Sequence, residues 1–497
     1  MPYICTGPVC IGAVREPLDS NSGRRAGRPH RFIHTAAPEP PNAVPAPNME
    51  VIVSLAKRRG FVFASSEIYG GMAGFWDYGP LGVELKQNIR AAWWRHMVQL
   101  RDDIVGIDAA IIMNPRVWEA SGHVAGFSDP MVDCRNCKLR FRADDLKGDP
   151  GEIACPNCGQ RGTLTDPRQF HLMFSTHVGP VSDSASIAYL RPETAQAMFV
   201  QFENVATSMR RKLPFGIAQI GRSFRNEITP GNFIFRLREF EQMEMEFFVH
   251  PRDEDTWFAR WVELRHRWWT DVLGIDASRL RLRPHQADEL SHYSKQTTDI
   301  EYEFPIGWSE LEGIADRTDF DLTAHAAGSG RRLAIFDEAS GEHVVPYVIE
   351  PAMGVDRAFL TVLIDGYTEE QVANERRVVL RIRPELAPIK AAVLPLLRNR
   401  PELVERARRL TADLKPLVSA MYDDTASIGK LYRRQDEVGT PFCVTVDVES
   451  LADGAATIRE RDSMTQERVT MERIPQRIAD LVAGRATWEG GAREAAS

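Results

Sequence analysis

The sequence predicts an α/β (α+β) protein: an antiparallel sheet flanked by helices, followed by a smaller mixed α/β module. Three observations carry this. First, residues 217–248 alternate in polarity on either side of the turn-forming run Thr229-Pro230-Gly231-Asn232, as two paired strands do. Second, Leu85, Ile89, Trp93, Met97 and Leu100 recur at helical spacing between Glu84 and Leu100. Third, beyond residue 375 the strand-like runs VVLRIRP and PFCVTVDVE alternate with a helix whose apolar side is Leu403, Ala407, Leu410 and Leu414.

The elements follow in order. Residues 1–48 are rich in Pro, Gly, Ala and Arg, show no periodicity and end in PEPPNAVPAPN, the composition of a disordered extension. Their cluster Arg24 to Arg31 reads as a solvated tail, as a targeting or RNA-binding arm, or as sequence upstream of a start at Met49. After the helix Glu84–Leu100, the run IDAAIIMNP is expected to be a strand ending at Pro115. Cys134-x2-Cys137 and Cys155-x2-Cys158 follow, with 17 residues between the pairs. Four thiolates at this spacing close a tetrahedral zinc site and leave no position for water, so the metal is structural; a redox dithiol is the weaker alternative. Cys5, Cys10 and Cys443 stand outside this scheme as small residues.

Glu193 precedes a helix expected over Ala195 to Phe202, where a carboxylate also suits the helix N-terminus. In the hairpin, alternation groups Ile217, Gln219, Gly221, Ser223, Arg225 and Glu227 on one face, and Phe240, Gln242, Glu244 and Glu246 opposite to Glu241, Met243, Met245 and Phe247. Polar groups among such bulky apolar neighbours suit the floor of a cleft better than a solvated surface. Trp257, Trp261, Leu264, Trp268 and Leu273 form a core stripe, and His285 and His292, without metal-ligand spacing, are hydrogen-bonding residues. Phe304 to Ala315 reads as a strand pair with Trp308, Glu310 and Glu312 on one face. Val344 to Glu350 reads as an apolar strand, and Gly354-Val355-Asp356-Arg357 opens a helix. A hinge over Tyr367 to Asn374 leads to the second module. Between Arg376 and Lys415 eleven Lys and Arg face four Asp and Glu, a local net charge of +7. Such a run is either a solvated face or a basic patch. The tail from Gly484 reads as disordered.

Composition excludes several classes. No uncharged apolar run reaches the ~18 residues of a membrane span, and the N-terminus lacks a basic stretch followed by an apolar one, so the chain reads as cytoplasmic. A net charge of −8 excludes a protein that coats nucleic acid over its whole surface.

Phe224-Arg225-x-Glu227, a loop, then Arg236-x-x-x-Phe240 resembles motif 2 of class II aminoacyl-tRNA synthetases. The helix with IDAAIIMNP resembles motif 1, which builds the dimer interface in that class. The strand ending at Glu350 with GVDR resembles motif 3. The strings IYGGMAGFWDYGPLGVELK, LRPETAQAMFV, GIAQIGRSFRNEITPGNFIFR, SHYSKQTTDIEY, RTDFDL, IEPAMGVDR and IGKLYRRQDEVGTPF are similar to those of the dimeric glycyl-tRNA synthetases. The resemblance implies a class II core over 49–370, a zinc-knuckle insertion over 131–165, an anticodon-binding domain over 371–484 and a tail over 485–497. It implies glycine, ATP with Mg²⁺, and tRNA(Gly) as partners of a homodimer, with the basic run on the anticodon-binding domain.

By the same resemblance Arg225, Glu227 and Arg357 are catalytic. Asn226, Phe235, Arg236, Arg238, Phe240, Glu310, Leu311, Gly354 and Asp356 join those three around ATP. Arg225 holds the α-phosphate, Arg236 and Arg357 the γ-phosphate, Phe240 stacks on adenine with Arg357 across it, and Glu310 is the candidate Mg²⁺ ligand. Glycine falls to Arg142, Glu193, Phe240, Glu241, Gln242, Glu244, Arg317, Glu350 and Gly354, with Glu193, Glu244 and Glu350 meeting the ammonium. The chain departs from the pattern at Ala197, where Gly is usual, and at Ala352, where Ser is usual. Two other classes stay open: a non-catalytic relative acting as a nucleic-acid accessory, and a class II synthetase for another small amino acid.

Overall fold

Alternation along Phe215–Phe224 and Glu239–Val249 does produce two paired antiparallel strands, and they lie inside a seven-stranded sheet. The computed structural model describes residues 46, 48–146, 148, 152–338, 340–372 and 374–490; the expected extension, except Ala46 and Asn48, falls outside them. The sheet runs in the order Leu280–Pro284, Gln296–Phe304, Gly307–Thr318, Tyr347–Gly354, Glu239–Val249, Phe215–Phe224, Ile104–Gly106. Every neighbouring pair is antiparallel except the last.

The two faces differ in what covers them. Met243, Met245, Phe247, Ile314 and Ile349 pack with Leu85, Ile89, Trp93, Trp261 and Phe359 from the helices Pro80–Trp94, Glu254–Arg267 and Val355–Gly366. On the other face Ile217, Phe248 and Val348 meet Met198, Phe199 and Leu322 from the helices Ala195–Val200 and Phe320–Ser329. These short helices cover only one end of that face, and the remainder is the floor of a cleft.

Several elements differ from expectation. The helix Pro80–Trp94 ends in a π-helical turn over Arg95–Gln99, which rotates the apolar stripe so that Leu100 is exposed. The parallel strand is Ile104–Gly106, before IDAAIIMNP; that run holds one isolated bridge, Ile112 to Leu190, and Pro115 opens a helix capped by Asn114 rather than closing a strand. The helix expected over Ala195 to Phe202 is two short helices, the second starting at Phe202. Val344 and Glu350 belong to different strands, Glu342–Val344 and Tyr347–Gly354. The hinge over Tyr367–Asn374 is instead an antiparallel hairpin of Tyr367–Val372 with Glu375–Leu380, and Tyr367 is buried in the main core.

The largest correction concerns Glu312. Opposite Gln296–Phe304 the register jumps between Ile300 paired with Glu312 and Glu301 paired with Glu310, so Leu311 is the extra residue of a bulge. The slip sends Glu312 to the helix side, where Arg265 Nε donates to it and Trp269 Nε1 does so at 2.7 Å, while Glu310 stays on the cleft side. Trp269 is wholly buried and extends the expected tryptophan stripe.

The second module has a five-stranded sheet in the order Ala420–Tyr422, Ala391–Pro395, Phe442–Val446, Ala455–Glu460, Gln466–Thr470. The first three strands are parallel and the last two antiparallel to their neighbours. Ala391, Val393 and Val444 face the helices Pro401–Leu414 and Ile474–Val482, and Leu394 and Cys443 face Ile428–Val438. The tail is ordered farther than expected: Trp488 packs beside Phe442 and its Nε1 donates to Thr465 Oγ1 at 2.7 Å, so the docked chain reaches Gly490.

Candidate active site

Sheet alternation and one tight network build the cleft, which encloses 410 Å³. Gln242, Glu244 and Glu350 project from the two central strands, and Glu193 comes from the turn before Ala195–Val200. The Glu244 carboxylate accepts from Thr194 N at 2.9 Å, from the Thr194 hydroxyl and from Gln242 Nε2. Glu193 Oε1 accepts from Gln196 Nε2 at 2.9 Å and lies 3.5 Å from His123 Nε2. Glu350 Oε2 accepts from Arg317 Nη1 at 2.9 Å, and the same guanidinium donates to Asp321 at 2.7 and 3.0 Å.

These carboxylates titrate apart, as groups crowded around few cations must. Burial, followed by the charges of Glu350 and Glu193, pushes the Glu244 carboxyl up to about 8, against the opposing Thr194 hydroxyl and Arg225. Burial raises Glu350 too, with Arg317 opposing it. Burial also acts on Glu193, but His123, Arg317 and the Gln196 hydrogen bond together hold that carboxyl well below its usual range.

Cations gather in the same cleft. Arg225, Arg236 and Arg357 all line the cleft. Arg225 Nε donates to Pro192 O at 3.0 Å, and its guanidinium carbon stands 5.4 Å from the Phe240 ring centre. Arg357 lies over Phe235 at 4.4 Å and donates to Glu310 Oε2 at 3.1 Å, and its charge keeps the Glu310 carboxyl below the usual range. Glu227 also lines the cleft, with Oε2 buried and unpartnered among the described residues, a ready acceptor for a ligand amine. Arg142, Phe235, Leu311 and Gly354 complete the predicted residues that reach the cleft.

Four predicted residues do not line it, and a fifth, Asp356, borders it with its carboxylate already engaged. Alternation sends Glu241 to the helix side, where Lys86 and Arg90 pair with it at 3.2 and 3.3 Å. Asp356 borders the cleft, and its carboxylate accepts from the Tyr78 hydroxyl, from Lys86 at 3.0 Å and from Glu241 N at 2.8 Å, tying a helix to the sheet. Arg238 binds the carbonyls of Glu227 and Ala73, bracing the loop between the hairpin strands. Asn226 is set by its backbone bond to Leu172 O at 2.7 Å. Arg317 is buried beneath the floor, held by its carboxylate partners.

Sequence reasoning missed Asp299, Tyr293 and Thr297 as lining residues, and assigned His285 only a hydrogen-bonding part. His285 Nε2 lies 2.7 Å from Asp299 Oδ2, and burial and then Glu310 raise the Asp299 carboxyl. The signal was the alternation Thr297, Asp299, Glu301, which puts these side chains on one face of Gln296–Phe304.

The cysteines converge as their spacing predicts. Cys134, Cys137, Cys155 and Cys158 place all four Sγ atoms within 4.8 Å of one another. Cys134 lies 3.7 Å from Cys158, and Cys137 lies 3.7 Å from Cys155. Four Zn–S bonds of ~2.3 Å at tetrahedral angles put sulfurs ~3.8 Å apart, so the cluster fits the ion. The two knuckles repeat one backbone device: Lys138 N donates to Cys134 O and Gly159 N to Cys155 O, both at 2.9 Å, with φ of 62° and 70° at those residues.

Comparison with known proteins agrees with this geometry. Residues 181–367 match the family described as "tRNA synthetase class II core domain (G, H, P, S and T)", and residues 390–481 match the "Anticodon binding domain". The fold and cleft are thus those of a class II aminoacyl-tRNA synthetase. Proteins named glycine–tRNA ligase are 54% identical in Thermobifida fusca, over 88% of this chain and 98% of the relative, and 54% identical in Streptomyces coelicolor, over 88% and 99%. The Lysinibacillus sphaericus protein of that name is 52% identical over 86% of this chain and 97% of its own length. The chain belongs to the glycine–tRNA ligase family.

Proposed function

We infer that this protein activates glycine with ATP and transfers it to tRNA(Gly). The observation that carries this reading is the joining of Glu193, Glu244 and Glu350 with Arg225, Arg236 and Arg357 around one cleft. The glycine ammonium meets the three carboxylates, while its carboxylate faces the arginines. An oxygen of that carboxylate attacks the α-phosphorus, the bond to the bridging oxygen breaks, and pyrophosphate leaves. The 3′-terminal adenosine hydroxyl of tRNA then attacks the glycyl carbonyl, and AMP leaves.

Neither step needs a protein nucleophile, so alignment and charge supply the catalysis. Arg225 meets the α-phosphate, Arg236 and Arg357 the γ-phosphate, and Phe240 offers a stacking face to adenine. Arg317, committed to Glu350, acts by holding that carboxylate in place. Asp299 Oδ1 and Glu310 Oε1 both approach the open side of Gly313, 3.7 and 3.8 Å from where a Cβ would stand there, and these two carboxylates would hold Mg²⁺. When bound there the cation neutralises phosphate charge. A zinc ion held by Cys134, Cys137, Cys155 and Cys158 ties the insertion together and has no part in the reaction.

The family resemblance also supports a homodimer, which sedimentation at varied concentration tests, and a cytoplasmic location. Among the described residues no helix is long and apolar enough to cross a membrane. ATP–pyrophosphate exchange with each amino acid in turn tests the central reading: glycine alone should support it, and Arg225→Ala should reduce it by ~10²- to 10³-fold while leaving the fold intact. Equal exchange with another amino acid, or near-normal exchange by the variant, would refute the assignment.

A further inference from the structure

Glu246 is a fully buried carboxyl group that no step above uses. It follows Gln242 and Glu244 on the cleft face of Glu239–Val249 but does not line the cleft. Its hairpin neighbour is Ile217, and the register pairing Glu244 with Ala352 and Phe247 with Ile349 puts Glu246 opposite Glu350. Beyond it Phe248 belongs to the apolar cluster with Phe199 and Phe215. Glu246 therefore marks the boundary between the carboxylate floor and dry core, one residue pair below the proposed ammonium site.

Charged groups reach it from several elements: Glu244 on its own strand, Glu350 on the next, Arg317 on Gly307–Thr318 and Asp321 on Phe320–Ser329. Arg317 is the one cation in that set, and it already donates from Nε and Nη2 to Asp321 and from Nη1 to Glu350. Both Glu246 oxygens lack a hydrogen-bond partner among the described residues. An ionised Glu246 would be a buried charge without a hydrogen-bond partner of its own, directly across from a second carboxylate, a strongly unfavourable arrangement. A protonated Glu246 removes that repulsion and gains an O–H donor. Burial and the charge of Glu350 act in this direction, raising the Glu246 carboxyl well above its usual range although Arg317 opposes them.

We propose that Glu246 is a neutral carboxylic acid whose O–H donates to Glu350 from beneath, a positioning residue that, with Arg317, holds Glu350 toward the substrate ammonium. The effect on glycine rests on the functional reading above; the protonation state does not. A neutral donor at this position restrains Glu350 without adding negative charge to the floor.

The test compares unmodified protein with Glu246→Gln, which keeps shape and a donor, and Glu246→Leu, which keeps bulk alone. Infrared difference spectra at neutral pH should show a protonated-carboxyl band in the unmodified protein that Glu246→Gln lacks. In glycine-dependent exchange, Glu246→Leu should raise the KM for glycine by roughly 10- to 100-fold, the scale of a lost hydrogen bond to a charged group. The KM for ATP should hold, and Glu246→Gln should restore most of the glycine KM. Absence of the band overturns the proposal. So does a Glu246→Gln variant as impaired for glycine as Glu246→Leu, since charge would then be what matters, or a Glu246→Leu variant with an unchanged glycine KM. Failure of the unmodified protein to use glycine would sink the functional reading while the infrared band still decided the proton.

Discussion

Eleven basic residues between Arg376 and Lys415 suggest a broad tRNA-binding patch, but their pairing narrows it sharply. Arg376 pairs with Glu369, Arg377 with Glu370 and Asp436, and Arg381 with Glu370 and Asp462. Arg383, Lys390 and Arg406 donate to backbone carbonyls. Besides the paired Arg376, the exposed residues are Arg398, Arg400, Arg408, Arg409 and Lys415, and Arg408 lies over Tyr422. The informative variant is therefore Arg398→Ala with Arg400→Ala and Arg409→Ala, which avoids the structural arginines. If each residue meets one phosphate, the slope of log affinity against log salt should fall by ~0.7 to 0.9 per residue, or ~2 to 2.7 in all. Over a fourfold rise in salt, variant and unmodified affinities should then converge by roughly 20- to 40-fold. Filter binding of tRNA across a salt series measures this, with ATP–pyrophosphate exchange as the control that should not change. An unchanged slope and affinity would return these arginines to a solvated face, and a fall in exchange would show that the substitutions damaged the core.

Two further predictions concern the metal and the floor. One zinc per chain should copurify under reducing conditions, and Cys155→Ser should lose it together with thermal stability of the insertion; unchanged metal content by elemental analysis would refute the four-cysteine site. For the floor, the proposed contact with the ammonium favours ionised Glu244, whose carboxyl burial pushes up to about 8 without substrate, so binding should release a proton below that pH. The KM for glycine should fall as pH rises toward 8 and level off above it, while Glu244→Gln should lose that dependence; a flat profile in the unmodified protein would contradict the assignment.

What was legible in the sequence follows from the range of the forces involved. The alternation of Gln242, Met243, Glu244 and Met245 is local, and both faces of the strand are buried in different surroundings, so the cleft floor could be read directly. Glu312 was misplaced because nothing in the run Glu310-Leu311-Glu312 marks a bulge; the slip appears only when Gln296–Phe304 supplies the opposing register. The basic run could not be sorted into paired and exposed charges for a similar reason. Arg377 finds Asp436 at a separation of 59 residues, and composition counts charges without their partners. Trp488 was read as part of a disordered tail because its docking partners, Phe442 and Thr465, are likewise remote. Glu241 is different: its alternation was visible, and the resemblance to motif residues overrode it.

The floor also carries a constraint on how its mutants combine. Gln196 Nε2 donates to Glu193 and to Asp321, both at 2.9 Å, and Arg317 joins Asp321 to Glu350. Two of the three carboxylates proposed for the ammonium therefore trace through one buried group each to the same aspartate, which lies outside the cleft lining. Gln196 is itself fixed by His325 Nε2, 2.7 Å from its Oε1. Removing Asp321 would free Arg317 from its bidentate partner and Gln196 from one acceptor, shifting Glu350 and Glu193 together. Substitutions at Glu193, Glu350 and Asp321 should accordingly be non-additive, because each alters a partner that the others share. Glycine offers no side chain to grip, so under the proposed reading ammonium placement depends on the rigidity of this network, which includes Asp321, a residue outside the cleft lining.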